Sequence, residues 1–177
     1  MSQEASDNKA AIRRIMRIRL RELSHAKKKT ASQNIRAELS KLKLTSCALF
    51  AGTAVEPDLL PLLKEHPKTA WFLPKVIAEG EMIFIRVNYR TELKAGAFGI
   101  LEPEGELSDP SEINTIICPG VAFTRKGQRL GQGGGFYDRF LEKNPDVKTI
   151  GVGFSCQLVQ SIPTEAHDAM IQHLLIY

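Results

Sequence analysis

Cysteine is scarce in this chain of 177 residues: Cys47, Cys118 and Cys156 are odd in number, each sits in an apolar run, and no Cys-x-x-Cys pair occurs. That argues against a disulfide framework and a thiolate zinc site, and the three read as buried reduced thiols. No apolar run approaches the roughly 18 residues of a membrane span. The start, Met1 to Asp7, has neither the basic nor the apolar segment of a secretory leader, so a cytoplasmic protein with no membrane partner is expected. Aromatic residues are absent before Phe50. The four histidines, His25, His66, His167 and His173, are scattered and form no zinc set, and no Ser-His-Asp or Cys-His arrangement for nucleophilic catalysis is evident. Gly-Lys-Ser and Gly-Lys-Thr do not occur, and Gly131 to Phe136 lacks the final glycine of a dinucleotide fingerprint.

What is present fits one globular domain, 1–177, with 43% hydrophobic and 25% charged residues. The net charge of +4 hides an asymmetry. Residues 1–43 hold 12 of the 24 Lys and Arg against four acids, giving +8, and the remainder is left at −4. A basic segment of this kind suits nucleic acid, but the interleaved aromatics of a single-strand binder are missing from it, so no nucleic-acid partner is expected.

Ile12, Met16, Leu20 and Leu23 recur at helical spacing beside a cationic row, Lys9, Arg13, Arg17 and Arg21. Ala31, Ile35, Leu39 and Leu42 predict a second helix, so that 1–43 forms a basic helical segment packed on the rest of the domain. The period then changes. Strands are predicted over Cys47 to Gly52, Ala70 to Val76, Met82 to Val87, Thr115 to Cys118 and Thr149 to Phe154. Helices are predicted over Asp58 to Lys64, introduced by Pro57, and over Phe136 to Asn144; Gly99 to Ser111 reads as a surface loop. Strands alternating with helices imply a single-domain α/β fold of three layers, α/β/α, with a mostly parallel sheet.

The stretch Pro119 to Arg139 sets Gly127, Gly131 and Gly133 to Gly135 among Arg125, Lys126, Arg129 and Arg139, between a strand and a helix start. Glycine amides can turn inward without a Cβ in the way, and the next helix adds its positive end, so this is the architecture of a phosphate site. Glu56, Lys75, the glycine stretch and the tail beyond Phe154 all fall after strands, where ligands collect in such sheets. Asp138 and Asp168 are two carboxylates suited to a hydrated Mg²⁺ beside phosphates. Each also has a structural reading: Asp138 as a helix-dipole carboxylate paired with a neighbouring arginine, Asp168 as a turn or cap, Glu56 as the N-terminal carboxylate of the 58–64 helix, and Phe136 and Tyr137 as core.

Pro119 to Arg139 resembles the signature of the 5-formyltetrahydrofolate cyclo-ligases, roughly P-G-x-A-F-D-x-x-G-x-R-L-G-x-G-x-G-Y-Y-D-R. Lys9 and Arg13, Phe50 to Asp58, Phe72 to Lys75, Phe98 to Pro103, Gly151 to Phe154, Pro163 and His167-Asp168 agree in order and spacing. The chain departs from the pattern at Thr124, Gln132 and Phe136. The resemblance implies an ATP- and Mg²⁺-dependent, C–N bond-forming ligase that converts 5-formyltetrahydrofolate to 5,10-methenyltetrahydrofolate, acting as a monomer on small molecules. It places Lys9, Arg13, Arg129, Leu130, Gly131, Gln132, Gly133, Gly134, Gly135, Phe136 and Tyr137 at ATP. Ala51, Glu56, Gly133, Gly134, Phe136 and Tyr137 fall at the folate, Asp138 and Asp168 at Mg²⁺, and Arg129, Tyr137 and Asp138 at the reaction. Asp138→Asn is expected to stop turnover with little effect on folding, and Arg17 and Arg21 to be solvated. The residues on their own also admit a nucleotide-dependent transferase for another small anion, or a non-catalytic nucleic-acid or folate-binding module.

Overall fold

The apolar stripe of the first segment becomes α1 (Gln3–Glu22). Ser24 then caps α2 (His25–Lys41), its side chain accepting the Lys27 amide and so satisfying one of the donors that a first turn leaves free. The computed structural model describes residues 3–96 and 99–177, so Phe98, part of the resemblance, lies outside the described residues. Among these, no helix is long and apolar enough to cross a membrane.

The chain continues through β1 (Ser46–Ala48), α3 (Leu62–Glu65), β2 (Ala70–Ala78), β3 (Glu81–Val87), β4 (Leu93–Ala95), β5 (Leu101–Pro103), β6 (Thr115–Cys118), β7 (Ala122–Phe123), β8 (Arg129–Leu130), α4 (Phe136–Lys143), β9 (Lys148–Gly153) and β10 (His173–Ile176). Six strands form one sheet in the order β10-β9-β6-β1-β2-β3. Every neighbouring pair is parallel except β2 and β3, an antiparallel hairpin at one edge. The mostly parallel α/β sheet expected from the sequence is present.

Successive side chains of a strand point to opposite faces, and the two cores follow that alternation. Cys47, Leu49, Trp71, Leu73, Ile117 and Val152 pack with Ile35 and Leu39 of α2 and Leu62 of α3. Ala48, Phe72, Phe84, Ile116 and Cys118 pack with Phe140 and Leu141 of α4. Burial pushes the Cys118 thiol up to about 12 and Cys47 higher still, so both stay protonated. Cys156 is only half-buried, a departure from the expected burial of all three.

α1 lies on neither sheet face. Met16 packs on Val121, Ala122, Leu130 and Ile162, and Leu20 on Ala31 and Phe154, which lays the helix across the segments leaving β6 and β9. That brings its cationic row to the carboxyl ends of the parallel strands.

Other expectations change. The helix expected over 58–64 begins only at Leu62, because the Asp58 amide donates to Ser32 Oγ and the Asp58 carbonyl accepts from Arg36, tying the segment to α2. The first strand ends its ladder early, with Leu49 donating to the Phe72 carbonyl as its last rung. Gly99 to Ser111 is not all loop: β5 pairs with β4, and Pro110–Glu112 forms a 3₁₀ turn capped by Asp109. The β7–β8 hairpin interrupts the glycine stretch, and β10 adds an edge strand. Pairs of two to four residues leave too short a pattern to be read without their partners.

Candidate active site

α4 begins at Gly135, whose φ of +66° lies in the left-handed region that glycine enters freely. The preceding glycines therefore run straight into the first turn of a helix. Two arginines grip this segment: Arg13 Nε donates to the Gly131 carbonyl at 2.9 Å, and Arg139 donates to the Gly134 carbonyl. A third contact was not foreseen. Arg17 donates to Gln132 Oε1 at 3.1 Å, so although exposed it is not merely a solvated charge.

Below the glycines Arg129 is buried, with a side chain only 3% exposed. It pairs with Asp138 Oδ1 at 2.8 Å, donates to the Pro119 carbonyl, and lies over the Tyr137 ring at 5.4 Å. Its Nε is buried with no partner among the described residues. A buried charged donor without an acceptor is costly, and an arriving anion would remove that cost. Gly131 leaves room for this guanidinium, since a Cβ there would lie 3.0 Å from Arg129 Nη1.

Asp138 also accepts the amide of Ala169, the residue after Asp168, which brings α4 and the tail together. Asp138 Oδ2 takes no hydrogen bond among the described residues. Asp168 accepts from Lys9 Nζ at 2.6 Å and from the Glu165 amide at 2.8 Å, and Glu165 accepts from the same Lys9 Nζ at 2.8 Å. Lys9 is buried, which opposes its charge, but the hydrogen bonds and charges of Asp168 and Glu165 outweigh that and raise its pKa. Glu165, His167 and Asp168 each offer a donor atom within 4.8 Å of the others. Asp168 thus occupies both the turn foreseen as its structural reading and a cluster able to hold a cation. Glu165 went unnoticed in the sequence; its position three residues before Asp168 in a turn was the available signal.

Glu56 Oε2 accepts from the Thr53 amide at 3.0 Å and the Thr53 hydroxyl at 2.9 Å. It is no helix cap, since Pro61 occupies that place for α3. Ala51 is buried just beyond β1. The Tyr137 phenol is pushed well up, first of all by burial, with the Arg129 charge partly offsetting it. Tyr137 and Phe136 are half-buried: Tyr137 packs beside the α4 core and Phe136 beneath the Arg139 guanidinium at 5.8 Å. Leu130 is buried in the hairpin under α1.

Thr124 departs from the family's aspartate, yet its hydroxyl accepts the Gln128 amide as a carboxylate would. A cavity of about 730 Å³ opens at the other end of the sheet, beside Thr45, Asn114 and Asp146. The converging charged groups, the orphaned donor and the glycine segment all lie at the carboxyl end, the end at which ligands collect in open parallel sheets.

The chain is 35% identical to a 5-formyltetrahydrofolate cyclo-ligase of Escherichia coli K12, over 68% of this chain and 71% of that protein. It is 36% identical to the Haemophilus influenzae enzyme of the same name, over 66% of this chain but only 59% of the relative. A solved 5,10-methenyltetrahydrofolate synthetase of Aquifex aeolicus superposes with a TM-score of 0.82 at 35% identity, covering 95% of this chain and 89% of that one. The model of the 5-formyltetrahydrofolate cyclo-ligase family matches residues 5–177. With its glycine segment, buried arginine and paired carboxylates gathered at one end of the sheet, the chain belongs to the 5-formyltetrahydrofolate cyclo-ligase family of enzymes.

Proposed function

We propose that this chain converts 5-formyltetrahydrofolate to 5,10-methenyltetrahydrofolate, consuming ATP in the presence of Mg²⁺ and releasing ADP and phosphate. The γ-phosphoryl group passes to the formyl oxygen, N10 of the substrate attacks the activated carbon, and phosphate leaves. The nucleophile belongs to the substrate, which accounts for a site built of cations, carboxylates and backbone rather than a nucleophilic side chain.

The observation that carries this reading is the convergence of Arg13, Arg129 and the glycines 131–135 with the Lys9–Asp168 pair at the carboxyl end of the sheet, the end to which the segment carrying Glu56 also leads. Arg129 Nε supports an anion at the glycines, and Lys9 and Arg13 approach the same place from α1. Glu56 retains one oxygen for ring N–H donors of a reduced pterin, a contact worth about 1.5–3 kcal/mol per bond when shielded from water. Tyr137 and Phe136 supply flat faces beside it. Asp168, with Glu165 and His167 alongside, offers donor atoms within 4.8 Å of one another, and the Asp138 carboxylate, which accepts the neighbouring Ala169 amide, would complete the largely oxygen donor set that a hard divalent cation prefers. When bound there, Mg²⁺ would neutralise charge on the transferred phosphate. The chain acts on small molecules as a monomer in the cytoplasm.

The test mixes purified protein with MgATP and 5-formyltetrahydrofolate, follows the near-ultraviolet absorbance of the methenyl product, and counts ADP in parallel. Equal amounts of the two products, abolished by omitting Mg²⁺, are expected. A folded protein that makes no product, or makes it without consuming ATP, overturns the assignment.

A further inference from the structure

A trans peptide is planar, so its carbonyl and the amide of the next residue point in opposite directions. Within the glycine segment two carbonyls are held from outside: that of Gly131 by Arg13 and that of Gly134 by Arg139. The amides of Gln132 and Gly135 are thereby aimed the other way. Glycines left alone would sample many orientations, because no Cβ restricts them. Something must hold these peptide planes if the segment is to meet an anion already ordered.

Arg139 is well placed to do so. It has no carboxylate partner among the described residues, and its donors go to main-chain oxygens of two separate elements. Besides Gly134 it reaches the Gly80 carbonyl at 2.7 Å through Nε. Gly80 forms the turn of the β2–β3 hairpin with a φ of +77°, and a Cβ there would lie 2.5 Å from Arg139 Nη2. At Gly135 a Cβ would lie 2.6 Å from Arg139 Nη1. Two left-handed glycines, distant in sequence, leave the space that one guanidinium fills.

We infer that Arg139 is a positioning residue for nucleotide binding: it pins the Gly134–Gly135 peptide against the tip of the β2–β3 hairpin, so that the Gly135 amide faces the phosphate. This rests on the proposed binding of ATP phosphates by the glycine segment. The hairpin tip then belongs to the nucleotide site without touching the nucleotide.

The experiment measures MgATP affinity by calorimetry, KM for both substrates and the melting temperature, for Arg139→Ala, Arg139→Lys, Gly80→Ala and the Arg139→Ala/Gly80→Ala pair. Arg139→Ala is expected to weaken ATP by roughly tenfold or more while leaving the KM for 5-formyltetrahydrofolate within a few-fold, and Arg139→Lys to recover part of the loss. Gly80→Ala displaces the guanidinium and should reproduce the ATP defect, and the double variant should be no worse than Arg139→Ala. Unchanged ATP affinity in Arg139→Ala overturns the inference. A defect in Arg139→Ala that Gly80→Ala fails to reproduce also overturns it, because Arg139 would then touch the phosphate directly. Equal weakening of both substrates with a lowered melting temperature reduces Arg139 to a scaffold contact and overturns it as well. If the unsubstituted chain binds no MgATP, the proposed function falls first and this inference with it.

Discussion

Asp138 is both a candidate metal ligand and the counter-charge of Arg129; the sequence offered pairing with Arg139 or another neighbour, and Arg129 became the partner once β8 and α4 were brought together. Asp138→Asn keeps the shape and one acceptor, but it leaves a buried guanidinium without its anion. A loss of turnover of about 10²-fold or more is expected from the missing charge. Contrary to the sequence-based expectation, stability should fall too, by about 1–3 kcal/mol, because a charged partner in a shielded pair has been neutralised. Steady-state kinetics and a denaturant titration separate the two effects; turnover within a few-fold of the unsubstituted enzyme would leave Asp138 only as the partner of Arg129. Single residues differed in how far they could be read. Glu56 and Asp168 drew attention by type and position and Lys9 and Arg13 through the family resemblance, and the structure brings all four to the same end of the sheet. Glu165 was missed, Arg17 was expected to be solvated, and Arg139 was seen only as one basic residue beside the glycines, since each has a partner distant in the chain.

α1 is the element that turns a charge row into a site. Its apolar stripe was plain at helical spacing, and Met16 and Leu20 seat it against the β7–β8 hairpin and Phe154. Once seated, the row is graded along its length. Lys9 reaches the carboxylates, Arg13 the glycine backbone and Arg17 the Gln132 side chain. Alanine substitutions should raise the KM for ATP strongly at Lys9 and Arg13, by a smaller factor at Arg17, and not at Arg21, with the KM for 5-formyltetrahydrofolate as control. A uniform effect along the row would instead indicate a diffuse electrostatic patch. The helix over 58–64 was misread because residues compatible with a helical turn are drawn into hydrogen bonds with α2, and tertiary contacts outweigh a propensity of a few tenths of a kcal/mol per residue.

Across the whole molecule the +8 of residues 1–43 stays largely at the surface: of its twelve Lys and Arg only Lys9 is buried, with Arg13, Lys28 and Arg36 half-buried, although several are engaged within the chain. Lys28 reaches the Ala54 carbonyl, Arg36 the Asp58 carbonyl and Lys41 the Glu38 carboxylate, in addition to the contacts of Lys9, Arg13 and Arg17. Because these cations are engaged within the chain and no aromatics interleave with the exposed ones, titration with generic duplex or single-stranded nucleic acid at near-physiological salt should show no binding tighter than the about 10⁻⁴–10⁻⁶ M of non-specific association. Tight, steeply salt-dependent binding would revive the nucleic-acid reading. The α/β class, the parallel core and the placing of the glycine segment between a strand and a helix were all readable along the chain. Hydrophobic period, glycine placement and charge type are local properties that survive without knowledge of any partner. The β4–β5 and β7–β8 ladders, the β10 edge, the Lys9–Glu165 contact and the Arg139 bridge to Gly80 were decided only by folding. Each is a pairing between segments that carry no signal alone, and it exists because the sheet and its two packed faces bring those segments within hydrogen-bonding reach.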